Sequence, residues 1–243
     1  MTQPDAPDLL ATAAELIACA RDMNARGINN GTAGNVSVRV PGGMLVTPSG
    51  VAYDRLRPVD VIAMNTDTTW ASVGVRIGSS GDDAPSGGLR PSSEWRFHLD
   101  ILGHRQDAGA VVHAHPISAT ALSVHGRGIG PFHYMVGVAG GHDIRCADYA
   151  TFGTAELSDK ALVALTDRRA CLLAHHGMLA IGSDLTSALA LAVEVEVLAA
   201  QYLAALAIGD PPELTPSQMD QVLTKMADPD GYGSAPPRSD PDV

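Results

Sequence analysis

The chain has little positive charge. Its 243 residues include 16 Lys and Arg against 27 Asp and Glu, so the formal net charge at pH 7 is −11. Nucleic acids and anionic membranes attract proteins through a positive field, so neither is expected as a partner. A small phosphorylated substrate remains compatible with this charge, because main-chain amides and hydroxyl groups can bind a phosphate without a basic residue.

Cysteine and lysine are scarce as well. Three cysteines are scattered without a CxxC motif, and the start of the chain has no apolar secretory segment. This pattern is typical of reduced thiols and predicts a cytoplasmic protein. The two lysines are Lys160, in a predicted surface helix, and Lys225, near the C-terminus. Neither lies near a candidate pocket motif, which disfavours a Schiff-base mechanism.

No apolar run has the uninterrupted composition of a membrane span. The longest, Leu185–Ile208, contains Glu194, Glu196 and Gln201, and this favours a buried or interfacial helix. A chain of this length buries about 70% of its unfolded surface, which is enough for one α/β domain with a sizeable core. We predict a single domain over residues 1–227 and a disordered tail rich in Pro, Asp and Ser over residues 228–243.

The hydrophobic periodicity predicts alternating helices and strands. The predicted helices cover residues 9–25, 92–102, 117–124, 154–165, 184–208 and 215–227. The predicted strands cover residues 36–40, 44–47, 60–65, 111–115, 131–138 and 170–174. A stretch rich in Gly, Ser and Asp over residues 72–91 is expected to form a surface loop.

Two histidines lie at the end of the predicted central strand. Val111 and Val112 favour a buried strand, and Pro116 closes it because proline cannot donate to the sheet. Side chains at i and i+2 share a face, so His113 and His115 would present two imidazoles side by side. This spacing suits a metal, although a hydrogen-bonded histidine pair in a turn explains it equally well.

A third histidine would complete a catalytic zinc site, which keeps three protein ligands and one open position. The candidates are His175 and His176, and only one can join because neighbouring strand residues face opposite ways. Position alone does not choose between them. His98 is a rival ligand four residues after Glu94, but a packing role on its helix is the better interpretation.

The remaining candidates are one carboxylate and three small turns. Glu94, in the first turn of a predicted helix, is either an acid or base or simply a partner of the helix dipole. The turns Gly34-Asn35, Ser49-Gly50 and Ser92-Ser93 offer amides and hydroxyls to an anion. Each turn alone is more simply a cap or a bend, so their joint use is the hypothesis.

Seven stretches that follow one another in one order resemble the class II aldolase/adducin family, and the likeness covers roughly residues 9–227. They are GTAGNVS at 31–37, TPSG at 47–50, PSSEWRFH at 91–98, VVHAH at 111–115, HYM at 133–135, YATFGT at 149–154 and HHG at 175–177. No single stretch is specific, but the combination is. The resemblance implies a three-layer α/β/α domain around a mainly antiparallel central sheet. It also implies a cyclic homotetramer with active sites between neighbouring subunits.

The same resemblance assigns roles to individual residues. One zinc per subunit would be bound by His113, His115 and His176, with Glu94 as a resting ligand that the substrate displaces. Phosphate would bind at a set of turn residues, namely Gly34, Asn35, Ser49, Gly50, Ser92 and Ser93. Tyr134 would enter from the adjacent subunit as a proton donor, and Phe152 would shape the aldehyde pocket. The family also has a C-terminal tyrosine near the site, for which Tyr232 is the candidate.

The implied reaction is reversible cleavage of a ketose 1-phosphate, such as L-fuculose 1-phosphate. The products would be dihydroxyacetone phosphate and an aldehyde such as L-lactaldehyde. Zinc would act as a Lewis acid, and Glu94 would move the proton at the carbon nucleophile. Three alternatives stay open: a sugar-phosphate 4-epimerase, which typically has Asp in place of Glu94, a methylthioribulose-phosphate dehydratase, and a non-catalytic adducin-like interaction module.

Overall fold

The computed structural model describes residues 6–73 and 88–228 of the chain. Within these ranges, eight strands form one sheet: β1 (Asn35–Val40), β2 (Gly43–Val46), β3 (Ile62–Asn65), β4 (Trp70–Ser72), β5 (Ala110–Ala114), β6 (Arg145–Ala147), β7 (Ala170–Leu173) and β8 (Gly177–Gly182). Their spatial order is β4-β3-β2-β1-β5-β8-β7-β6, so β5 lies near the centre. The strand that ends on the two histidines is therefore covered on both edges.

The helices are α1 (Ala6–Ala25), α2 (Trp95–His104), α3 (Ile117–Ser123), α4 (Ala155–Ala164), α5 (Leu185–Ile208) and α6 (Pro216–Ala227). Successive strand residues point to opposite faces, and the buried apolar side chains divide accordingly. Val112 belongs to one cluster with residues of α1, α3 and α5. Val111 belongs to a second cluster with residues of α2 and α4.

The sheet is mixed, which corrects the expectation of a mainly antiparallel one. β6 pairs with β7 in parallel, with Cys146 opposite Leu172. The pairings of the other strands are antiparallel. The parallel pair arises because α4 connects β6 to β7, and a helical crossover brings the chain back in the same direction.

One predicted strand is wrong, because residues 134–139 form a 3-10 turn (Tyr134–Ala139). His133 caps this turn with its Nδ1, which accepts from the main-chain N–H of Met135 at 3.3 Å. The turn packs against α6, where a side chain on Gly137 would come within 3.2 Å of Val222. Tertiary packing thus overrides the β-forming tendency of this apolar stretch.

Helix α5 is long and apolar enough to cross a membrane by length and composition alone. In the structure one side of it is buried against β5, β8 and α3, as predicted for a core helix. Glu196 faces the start of α3, where its two carboxylate oxygens accept the N–H groups of Ser118 and Ala119 at 2.8 Å. This contact fixes the chain three and four residues after His115, shortly after the end of β5.

Three predictions concern residues outside the described ranges. These are the surface loop over most of residues 72–91, the disordered tail after residue 228 and the assignment of Tyr232. The predicted single domain over residues 1–227 includes the undescribed residues 1–5 and 74–87 and stays a prediction.

Candidate active site

The site begins at the C-terminal end of β5. His113, the fourth residue of the strand, is fully buried, and His115 follows the last one. Their Nε2 atoms lie 2.8 Å apart, so the two rings face the same point. The i and i+2 argument for this pair is confirmed by the geometry.

The neighbouring strand fixes the proton on His113. Its Nδ1 lies 2.9 Å from the carbonyl oxygen of Met178 in β8. A carbonyl only accepts, so Nδ1 carries a hydrogen, and Nε2 is the ring nitrogen turned toward the cluster. Carbonyl partners of this kind are typical behind metal-binding histidines.

The turn between β7 and β8 determines which of the two remaining histidines reaches the cluster. His175 has a left-handed backbone with φ of +56° and is exposed, and its ring meets the edge of Tyr149. His176 points inward, with Nε2 lying 3.1 Å from Oε1 of Glu94. The structure therefore brings His176 to the cluster and leaves His175 at its rim.

Glu94 closes the cluster from the start of α2 and is only 5% exposed. Its Oε2 lies 3.1 Å from Nε2 of His113 and accepts from Nδ2 of Asn35 at 3.0 Å. Burial raises the pKa of this carboxyl, but the facing His113 and His176 outweigh it and hold the pKa well below the usual range. The group is therefore a carboxylate at neutral pH.

These four side chains form a donor set that fits a metal ion. One ligand atom from each of Glu94, His113, His115 and His176 lies within 4.8 Å of the others. Oε1 of Glu94 is buried and makes no geometrically acceptable hydrogen bond within the described part of the chain. Burial, together with His113 and His176, lowers the pKa of His115 to about 4, against an opposing effect of Glu94. Neutral imidazoles and a carboxylate are the ligand forms that zinc requires.

His98 is not part of this donor set, in agreement with its predicted packing role. Its ring is fully buried in α2, with Nε2 lying 2.5 Å from Oδ1 of Asn35 and Nδ1 lying 2.7 Å from Oγ of Ser37. Burial lowers its pKa to about 3, helped by His113 and opposed by Glu94. Sequence reasoning missed this hydrogen-bonded chain behind Glu94, because its partners are far apart in sequence.

Two of the three predicted phosphate turns lie side by side. Pro48 forms a bridge with Pro91, and the N–H of Ser92 donates to the carbonyl oxygen of Thr47 at 3.1 Å. Gly50 has a φ of +72°, which a glycine adopts without strain. Ser49, Gly50 and Ser93 are exposed, so their polar groups are accessible.

The third turn lies against Glu94 and not in the open. The carbonyl oxygen of Gly34 accepts a hydrogen bond from the hydroxyl of Tyr53. The side chain of Asn35 is hydrogen-bonded to Glu94 and to His98. Asn35 is only 4% exposed.

A cavity of about 350 Å³ opens onto the cluster. It is lined by Ala33, Ser93, Glu94, His115, Tyr149, Ala150, Phe152, His175 and His176. Phe152 lies at this cavity as predicted, and Tyr149 is an additional aromatic wall that the motif contained but sequence reasoning did not single out. Tyr134 is 45% exposed on the 3-10 turn and does not line the cavity of its own chain.

Comparison with known proteins agrees with this geometry. Residues 14–203 match the family model of the class II aldolase and adducin N-terminal domain. The chain belongs to the class II aldolase and adducin family. The resemblance drawn from the seven sequence motifs is thereby confirmed.

Within this family, several similar proteins are aldolases, that is, lyases of carbon–carbon bonds. A 5-methylthioribulose-1-phosphate/5-deoxyribulose-1-phosphate aldolase of Rhodospirillum rubrum is 50% identical over 86% of this chain and 88% of its own length. The L-fuculose phosphate aldolase of Escherichia coli K12 is 45% identical over 88% of this chain and 93% of its own. A solved L-fuculose 1-phosphate aldolase superposes with a TM-score of 0.80 at 34% identity, covering 89% of this chain and 96% of its own. The prediction of an aldolase-type lyase is confirmed by these relatives.

Proposed function

We propose that this protein is a zinc-dependent aldolase that reversibly cleaves a ketose 1-phosphate into dihydroxyacetone phosphate and an aldehyde. The observation that carries the proposal is the convergence of Glu94, His113, His115 and His176 at one end of a cavity. The exposed Ser93 of the Ser92-Ser93 turn lies at the same cavity. A metal site beside a phosphate-binding turn is what cleavage of a sugar phosphate needs.

The proposed metal ligands are the three histidines, with Glu94 as a fourth ligand in the resting state. Zinc bound there supplies a Lewis acid that polarises the substrate carbonyl, a contribution worth several kcal/mol. Glu94 then moves the proton at the carbon that becomes the nucleophile. Its Oε1 supports this role, because that oxygen, although 3.1 Å from Nε2 of His176, accepts no hydrogen bond of acceptable geometry within the described ranges.

The proposed phosphate site uses Gly34, Asn35, Ser49, Gly50, Ser92 and Ser93. Ser49, Gly50 and Ser93 offer exposed groups, and the bridge between Pro48 and Pro91 holds two of the turns together. Ser93 also lies at the mouth of α2, where the helix dipole favours an anion. The amide nitrogen of Asn35 has a second N–H beyond the one given to Glu94, and we assign that donor to the phosphate.

The aldehyde part of the substrate would lie against Tyr149 and Phe152. These rings are 57% and 63% exposed, which leaves an apolar surface beside the metal cluster. Such a wall suits an aldehyde with a short apolar end, including L-lactaldehyde.

The two relatives suggest three candidate substrates through the activities for which they are named. L-fuculose 1-phosphate is the substrate named for the similar enzyme of E. coli K12, and 5-methylthioribulose 1-phosphate or 5-deoxyribulose 1-phosphate is named for that of R. rubrum. One alternative from the sequence is a dehydratase that acts on methylthioribulose phosphate. The R. rubrum relative, which is named for a similar substrate, is an aldolase instead. We keep L-fuculose 1-phosphate as the first candidate and the 5-deoxy and methylthio sugars as the second.

Tyr134 is the proposed proton donor to the aldehyde oxygen and would act in the site of a neighbouring subunit. Its exposure and its absence from the cavity of its own chain support this. A cytoplasmic homotetramer, with a three-layer α/β/α subunit, completes the proposal.

The experiment is a retro-aldol assay of the zinc-loaded protein on L-fuculose 1-phosphate, 5-deoxyribulose 1-phosphate and 5-methylthioribulose 1-phosphate. We expect release of dihydroxyacetone phosphate from at least one of them. We also expect loss of turnover after chelation and its return with zinc. The unphosphorylated sugars serve as controls and should be poor substrates. Full turnover without metal, or equal cleavage of the unphosphorylated sugars, would contradict the proposal.

A further inference from the structure

Four buried side chains form a line of hydrogen bonds that ends on Glu94. Ser37 Oγ lies 2.7 Å from Nδ1 of His98, whose Nε2 lies 2.5 Å from Oδ1 of Asn35. Nδ2 of Asn35 lies 3.0 Å from Oε2 of Glu94. None of the four side chains belongs to a residue more than 5% exposed, so water does not compete for these bonds.

The charge of Glu94 sets the direction of every bond in the line. A carboxylate only accepts, so Asn35 turns its NH2 group toward Oε2 and its oxygen toward His98. That oxygen needs a donor, so His98 carries its hydrogen on Nε2. Nδ1 then has a lone pair and accepts from the hydroxyl of Ser37.

The reverse arrangement is unfavourable. With the hydrogen of His98 on Nδ1, Asn35 would have to donate to Nε2 and turn its oxygen toward Oε2 of Glu94. Two acceptors would then face each other at 3.0 Å in a buried site, and an unmade bond of this kind is costly. Glu94 thus fixes the orientation of the Asn35 amide, and the N–H of His98 holds the amide oxygen in place.

The two oxygens of Glu94 are consequently unequal. Oε2 is held by Asn35, whereas Oε1 makes no acceptable hydrogen bond with the described residues and faces His176 at 3.1 Å. We propose that His98 is a positioning residue that anchors Oε2 through Asn35 and leaves Oε1 as the oxygen that handles the proton of the substrate. The activity part of this inference rests on the proposed function.

Two measurements on the full chain need no substrate. The first is the zinc dissociation constant of the wild type and of His98→Leu and His98→Gln, measured by competition with a chromophoric chelator. We expect His98→Leu to weaken zinc binding by about ten- to hundredfold, because it releases the Asn35 amide that holds Glu94, and losing the partner of a metal ligand usually costs that much. His98→Gln retains an N–H that can reach Asn35, and it should recover most of the loss. The second measurement is the 15N chemical shifts of the wild-type imidazoles, which should show His98 with its hydrogen on Nε2.

If the His98 variants do not fold, a matched pair of serine variants tests the line of hydrogen bonds. Ser37→Ala leaves Nδ1 of His98 without a hydrogen-bond partner in a buried site, so the ring should be held less firmly and turnover should fall with little change in KM. Ser158→Ala is the control, since Ser158 is equally buried and bonds Asp100 away from the site. It should change neither readout.

The inference would be overturned by a hydrogen on Nδ1 of His98 in the wild type. Equal zinc affinity in the wild type and His98→Leu, or the same loss in His98→Leu and His98→Gln, would also overturn it. If the wild type cleaves no ketose 1-phosphate, the proposed function fails, while the zinc and 15N results still decide whether the line of hydrogen bonds acts as described.

Discussion

A side chain on Gly177 would touch the ring of His115. A Cβ built on Gly177 lies 2.6 Å from Cδ2 of His115 and 2.5 Å from the carbonyl oxygen of Ala114. Gly177 opens β8 immediately after His176, so it lets the two histidine-bearing segments approach closely. The identity of this residue is therefore coupled to the geometry of the candidate metal site.

The first prediction is that Gly177→Ala displaces His115. Since the clash is with main chain and a packed ring, we expect a loss of stability of about 1–3 kcal/mol, typical of overpacking. Zinc affinity should fall together with it. The measurements are denaturant unfolding and zinc competition.

Gly103→Ala is the matched control for this change. A Cβ on Gly103 meets no atom within 4 Å, and the residue lies in helix α2. Alanine should stabilise the helix by about 0.5–1 kcal/mol there. A Gly177→Ala protein with unchanged stability and zinc affinity would show that His115 is not held by this contact.

The second prediction concerns Glu94→Gln, which keeps the size of the side chain and an oxygen that can accept from Asn35. Zinc should remain bound, because three histidines are left, whereas turnover should fall about a hundredfold or more. The checks are zinc content and exchange of the substrate-derived proton of dihydroxyacetone phosphate. Near-normal exchange would remove Glu94 from the role of base.

Glu196→Gln provides a carboxylate-to-amide control. Glu196 holds the start of α3 with both oxygens, so the change should lower stability by about 1–2 kcal/mol and leave turnover nearly unchanged. A comparable loss of turnover in both variants would mean that the effect of Glu94→Gln is not specific to the site.

Parts of this site could be predicted from the sequence when the residues involved lie close together along the chain. His113 and His115 followed from strand periodicity, which is local. The residues alone left His175 and His176 open, and the choice of His176 came from the family resemblance. In the structure His175 has a left-handed backbone, and His176 lies in the cluster. Strand β8 was not predicted, because all six of its residues are buried and show no polar alternation.

The line of hydrogen bonds that ends on Glu94 could not be predicted from the sequence, for a related reason. Ser37 and His98 are 61 residues apart, and their contact depends on β1 and α2 packing together. The resemblance to a family grouped Glu94, His113, His115 and His176, which lie together in the structure, but it said nothing of this contact. Long-range hydrogen bonds of buried polar groups leave no periodic pattern in the sequence.

The third prediction is a loss of stability of the zinc-free protein in mild acid. Burial lowers the pKa of His98 from 6.5 to about 3 in the folded chain. Between pH 6.5 and about 3 the unfolded chain binds a proton at His98 that the folded chain does not bind. The free energy of unfolding therefore has its full value above pH 6.5 and falls as the pH is lowered. The expected slope from His98 is about 1.4 kcal/mol per pH unit. His115 and Glu94, whose pKa values are also lowered, act in the same direction.

Denaturant unfolding in chelator between pH 7.5 and 4.5 measures this slope. His98→Gln has no titrating group at this position. The slope of its free energy of unfolding against pH should therefore be smaller, by the amount that corresponds to about one proton per chain. Equal slopes in the wild type and the variant would show that His98 does not remain neutral in the folded protein.

The fourth prediction tests whether one active site uses two chains. Tyr134 is exposed and does not line the cavity next to Glu94 of its own subunit. If the site takes Tyr134 from a neighbour, Glu94→Ala and Tyr134→Phe should each be nearly inactive as pure oligomers. A mixed oligomer should contain sites with Glu94 from one chain and Tyr134 from the other.

Random mixing restores both groups in about a quarter of the sites, because each of the two chains at a site is the required one half of the time. The two variants, carrying different affinity tags, are co-expressed and purified over both tags in succession, so that only mixed oligomers are assayed. The control is the wild type carried through the same two tags. Activity should return to a substantial fraction of the wild-type value without any new contact. Mixed oligomers that stay as inactive as the pure variants would show that Tyr134 serves its own subunit or takes no part in the reaction.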